Sequence, residues 1–131
     1  MTFIVDGTSG LTFPNSTTQA SASNVLQVVN VINSTSASTT STSYVTSGSS
    51  ATITPKFATS KIYIMISTSG RAGVGAALRT TIYRNSTQLS GFTQNQQAGS
   101  GSIQYLDTGI SLNYLDSPST TSATTYTKNY W

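Results

Sequence analysis

One stretch, residues 61–67, limits the folds open to this chain more than any other. It reads KIYIMIS. Ile62, Ile64 and Ile66 fall on one face; Lys61, Tyr63, Met65 and Ser67 fall on the other. A period of two in β-branched and aromatic residues predicts a half-buried β-strand. Residues 51–54, ATIT, alternate in the same way. Pro55 ends that run, because proline has no N–H to give to a ladder. The two runs read as strand, turn, strand, and the second is expected to be a central strand of the core.

The remaining segments repeat the theme. Residues 25–32, VLQVVNVI, are apolar on both faces, as a strand covered on both sides would be. Residues 33–43 form a Ser/Thr run expected to be exposed and extended, partly in a sheet edge. Tyr44, Val45 and Thr46 make a short strand, with Gly48 in a turn. Residues 77–84 alternate Leu78, Thr80 and Ile82 against Arg79, Thr81 and Tyr83. A turn at 85–88 and a short strand at 89–92 follow. Residues 103–106 and 110–115 read as two strands parted by Asp107, Thr108 and Gly109. Residues 125–131 supply the last strand. No stretch has helical spacing. Short strands at such intervals predict a sandwich or barrel.

Composition narrows the function. The chain has 131 residues, no Cys and no His, with a formal charge of +3. It also lacks Glu, and its acids are Asp6, Asp107 and Asp116. The Cys count excludes a disulfide framework, a thiolate nucleophile and a Cys-based zinc site. Without His, and with no SxxK pattern, nothing would activate one of the many Ser residues. Asp107 and Asp116 invite a glycosidase reading, but the contexts DTG and DSP are those of turn-forming side chains. No DxDxDG loop exists for calcium. Residues 70–75, GRAGVG, lack the GxxxxGK[ST] order of a phosphate loop. The six Lys and Arg are scattered, so a nucleic-acid-tracking patch is not expected. No run approaches the ~18 apolar residues of a membrane helix. The first ten residues do not read as a signal peptide. The reading is a non-enzymatic protein with no cofactor and no metal site.

Residues 1–24 hold two short extended pieces, 2–5 and 11–13, within polar sequence. They read as an arm or linker, and residues 25–131 as the sandwich domain. The arm's apolar residues Phe3, Ile4, Val5, Leu11 and Phe13, with Tyr126, Tyr130 and Trp131 from the far end, are the candidate interface. Tyr and Trp suit surfaces where one end is apolar and the other wet. They also suit sheet surfaces and sugar stacking, as would Tyr63, Tyr83, Tyr105 and Tyr114. Arg71 and Val74 in the glycine-rich loop, and Gln94, Asn95, Gln96 and Gln97 in the polar loop expected at 93–102, are the candidate exposed contacts. Three N-x-[ST] sequons, at Asn15, Asn33 and Asn85, are expected by chance in so Ser/Thr-rich a chain.

Three stretches carry a resemblance. They are LTFPNSTTQ at residues 11–19, SATITPKFATSKIYIMIS at 50–67 and SLNYLDSPSTTSATTYT at 111–127. Together they resemble small β-sandwich domains in virion-surface and tail-fibre proteins of tailed bacteriophages, including those of aquatic bacteria. The likeness covers most of the chain and is least specific in the middle. It implies an antiparallel sandwich of jelly-roll type with an extended N-terminal arm, assembled as a homotrimer on a virion. The implied partners are the major capsid protein or another virion protein, with a host surface glycan as a further candidate. Such domains continue past the TTYT strand, whereas this chain stops at Trp131. The expectation is either a smaller sandwich or an open sheet edge, which a neighbour's N-terminal arm would fill. Capsid decoration is preferred over a short tail fibre, because the chain has no coiled-coil or β-helix shaft. A carbohydrate-binding module is the alternative from another class.

Overall fold

A computed structural model describes residues 4–6, 10–12, 18–19, 25–97 and 105–131. These residues form nine strands and no helix. Three short ones, β1 (Ile4–Asp6), β2 (Gly10–Thr12) and β3 (Thr18–Gln19), make an antiparallel meander with Val5 opposite Leu11. The body comprises β4 (Val45–Ile53), β5 (Ile62–Gly73), β6 (Ala77–Arg84), β7 (Thr87–Gln97), β8 (Tyr105–Asp116) and β9 (Thr124–Tyr130). One sheet has the order β4-β9-β6-β7; the other pairs β5 with β8. All pairings are antiparallel. The fold is all-β in two layers, four strands over two. The eight-strand order of a jelly roll is not among the described pairings.

The core lies between the layers. Ala72, Ile110 and Leu112 from the smaller sheet meet Leu78, Ile82, Leu89 and Tyr126 from the larger. Ile82 and Leu112 are 0% and 1% exposed, each contributing about 1.5–3 kcal/mol of transfer free energy. Ile53, Ile62, Ile64, Ile66, Tyr114 and Tyr130 pack against this cluster but stay half-buried. At Gly70 the other layer packs directly against the backbone. A Cβ there would overlap the Leu78 side chain and stand 3.0 Å from Ile110 Cδ1.

The alternation of residues 62–66 is confirmed: the Ile side chains point inward while Tyr63 and Met65 face water. Sheet membership differs from expectation. Among the described pairings β5 has β8 alone as a neighbour, so it is an edge strand. Residues 25–32 form no strand, and their Val, Leu and Ile side chains are exposed. Apolar composition creates a need for cover, but a ladder also needs a partner with free N–H and C=O groups.

Four expected interruptions are absorbed, wholly or in part, into strands. β4 runs through Gly48 as a bulge, with Ser47, Gly48 and Ser49 set against Lys128 alone. Gly48 takes φ 77°, and the Ser47 hydroxyl donates to the Lys128 carbonyl at 2.8 Å. β8 runs through Asp107, Thr108 and Gly109, which pair with Arg71, Gly70 and Ser69. The loop expected at 70–75 shrinks to a turn at Val74 and Gly75. Gly75, with φ 66°, occupies the position where a type II turn favours glycine. The polar loop expected at 93–102 is also corrected: Gln94, Asn95, Gln96 and Gln97 belong to β7, opposite Thr80, Arg79, Leu78 and Ala77. Ladder pairing uses backbone groups, so the polar residues 94–97 can extend the strand that Leu89 anchors in the core.

Candidate functional site

Three features stand out on the body. The first is a polar clamp inside one end. Asp116, at the end of β8, points between the layers and is 6% exposed. Arg84 Nη1, from β6 in the other sheet, donates to both its oxygens at 3.0 and 3.1 Å. The Tyr126 hydroxyl on β9 donates to Oδ2 at 2.6 Å. Burial and the bond to Asp116 push the Tyr126 hydroxyl above its ordinary pKa. Tyr126, expected at an interface, is therefore a core residue that ties two strands together. Tyr130 packs on the same core. Nothing about turn formation explains Asp116; its partner comes from another sheet.

The second feature is the outward face of β5 and β8. Tyr63 stands opposite Leu115, and Met65 is one step along. All three are exposed, Met65 by 72%. At the far end of this face Arg71 and Asp107 form an exposed bidentate pair at 2.6 and 2.9 Å. The hydrogen bond from Arg71 holds the Asp107 carboxyl below its usual range. The guanidinium also lies 5.2 Å from the Tyr105 ring centroid. Val74 is exposed at the adjoining turn. Asp107 and Asp116 thus face opposite sides of one strand, each engaged by an Arg. They do not form a pair able to flank a glycosidic bond.

The third is an open mouth between the edges of β4 and β5. It encloses about 950 Å³. Ile53, Ile62, Ile64, Ile66 and Tyr126 line it from the body, and residues 25–33 line it from outside. A hydrogen bond from Asn33 Nδ2 to Ser49 Oγ, 3.2 Å, joins that segment to β4. Lys128 reaches into the mouth from β9 and donates to Thr68 Oγ1 at 3.4 Å. Burial pushes its pKa down, and among the described residues no carboxylate pairs with it.

Other expected site residues lie elsewhere. Trp131 sits with Arg79, whose guanidinium is 4.4 Å from its ring, and with Tyr44 at 6.4 Å between ring centroids. Phe3 and Phe13 lie outside the described residues. Ile4, Val5 and Leu11 belong to β1 and β2. Among the described pairings the open edges of the body are β4, β5, β7 and β8; β9 is interior, between β4 and β6. Tyr63 was a candidate for sugar stacking, but the exposed Met65 and Leu115 beside it were not among the expected contacts. Their signal was present as large apolar residues on the face opposite the Ile row.

No protein-family description, characterised protein or solved structure matches this chain.

Proposed function

We propose that this chain is a non-enzymatic virion structural protein of a tailed bacteriophage that works by holding neighbouring protein chains, as a capsid decoration protein does. The observation that carries the holding role is the exposed apolar face of Tyr63, Met65 and Leu115, beside a β5 edge that is unpaired among the described residues. Contiguous exposed apolar residues beside an open edge are features of protein-contact surfaces. The virion setting is supported by the three stretches at residues 11–19, 50–67 and 111–127.

The test is antibody labelling of intact particles of a phage carrying this chain. Label over the head supports decoration. No label on purified particles overturns the virion reading. A second reading, a fibre-tip contact with host glycan, is favoured by the exposed cluster of Arg71, Asp107 and Tyr105. It expects label at the tail, and glycan binding that is lost in Tyr105→Ala.

A further inference from the structure

We infer that residues 25–32 are the missing third strand of the β5–β8 sheet, donated by one copy of this chain to the β5 edge of another. Features of both the donor and the acceptor support this. The donor, VLQVVNVI, carries no charge and no Gly or Pro. Within a single chain it forms no strand, and Val28 and Ile32 are 79% and 87% exposed. A folded protein in water does not ordinarily leave such a run uncovered.

The acceptor is built to match. The β5–β8 sheet has two strands, and a two-stranded sheet is marginal on its own. Among the described residues its β5 edge offers unpaired backbone along Ile62 to Thr68, beside the half-buried inner row of Ile62, Ile64 and Ile66. Eight donor residues at about 3.3 Å each span roughly 26 Å, the reach of that edge. The mouth is lined by Lys56, Lys61 and Lys128 and by no acid, so a neutral strand brings no like charge into it.

The geometry favours a second copy as the donor. Residues 25–33 already lie along the mouth of their own chain, tied by Asn33 to Ser49, yet their side chains do not fill it. Every copy carries one donor and one acceptor. Head-to-tail exchange then satisfies all copies, and a closed ring leaves none over. Backbone pairing would supply affinity, and alternate side chains packed on the Ile row would supply register. This deepens the assembly reading above by naming a second copy as the partner. Its test uses purified protein alone, so it can fail while particle labelling succeeds.

The chain has no native Cys, which makes crosslinking clean. Val29→Cys and Met65→Cys variants are prepared separately, unfolded, mixed and refolded. A short bismaleimide, whose reach tolerates a small error in register, is then added. The expected product is a mixed dimer well in excess of either homodimer, with light scattering giving a discrete oligomer for the wild type. A double variant, Val28→Asp with Ile32→Asp, should lower the mass to that of a monomer. Its unfolding midpoint as a monomer should stay unchanged, since both side chains are already in water. Three results would overturn the inference. They are a monomeric wild type, an oligomer that survives the double Asp variant, and crosslinking within one chain when Val29→Cys and Met65→Cys are combined in it.

Discussion

Leu112 on β8 and Ile66 on β5 face each other across one rung of the same two-stranded sheet. Both point inward, yet Leu112 is 1% exposed and Ile66 only half-buried. The difference lies beyond the strands. β8 approaches β7 across the layers, as β5 approaches β6. β5 borders the mouth, where nothing among the described residues of the same chain seals the Ile row. Burial on a sheet is thus decided by the next neighbour as much as by the side chain. Two apolar residues with the same pattern can carry very different shares of the stability.

The sharpest test of that contrast is Leu112→Ala. It should cost about 3–5 kcal/mol, the range for emptying a fully packed site, read from urea unfolding. A cost as small as that of a surface residue would break the comparison. Next comes Asp116→Asn, which leaves Arg84 without its counter-charge on the sealed side. Breaking a buried pair costs about 3–5 kcal/mol. Because the Arg84 side chain keeps 31% of its surface in water, about 2–3 kcal/mol is expected.

Tyr126→Phe removes one hydrogen bond to a charged group and should cost about 1.5 kcal/mol at neutral pH. It also carries a pH signature. The folded hydroxyl titrates above its ordinary value, through burial first and the Asp116 bond second. Above pH ~10 the unfolded chain loses that proton while the folded chain keeps it. The stabilisation is therefore complete below pH ~10 and lost as pH rises beyond it. The Phe variant should show a shallower decline in alkaline urea titrations. The smallest effect is expected for Ile66→Ala, about 1 kcal/mol in the isolated chain, because the side chain is only half-buried there. If the mouth is filled by a second copy, the cost in the assembled form should climb towards that of Leu112→Ala.

The local part of this fold was open to reading. Alternation at residues 62–66 and 77–84, and the positions of Pro55 and Pro118, mark strands and their ends without reference to anything distant. What could not be read is whatever depends on a partner across space. Asp107 and Asp116 sit in turn-like words, DTG and DSP, and the turn was the economical explanation. Arg71 and Arg84, 36 and 32 residues away, instead draw them into a ladder and a clamp. Gly48 looked like a turn because nothing local shows that Ser47 can anchor a bulge on Lys128. The mouth was hidden for the same reason. Residues 25–32 read as a strand needing cover on both faces, but the pattern alone does not name the neighbour that would provide it.

One consequence of the uninterrupted β8 concerns what the gene can tolerate. Asp107 and Asp116 are separated by an odd number of positions, which is why one meets solvent and the other meets the interior. Losing or gaining a single codon between them would swap those destinations, stranding a carboxylate outside its clamp and turning Leu115 inward in its place. A substitution leaves this parity intact, whereas a one-residue change in spacing breaks it, so the strand behaves as a counted length.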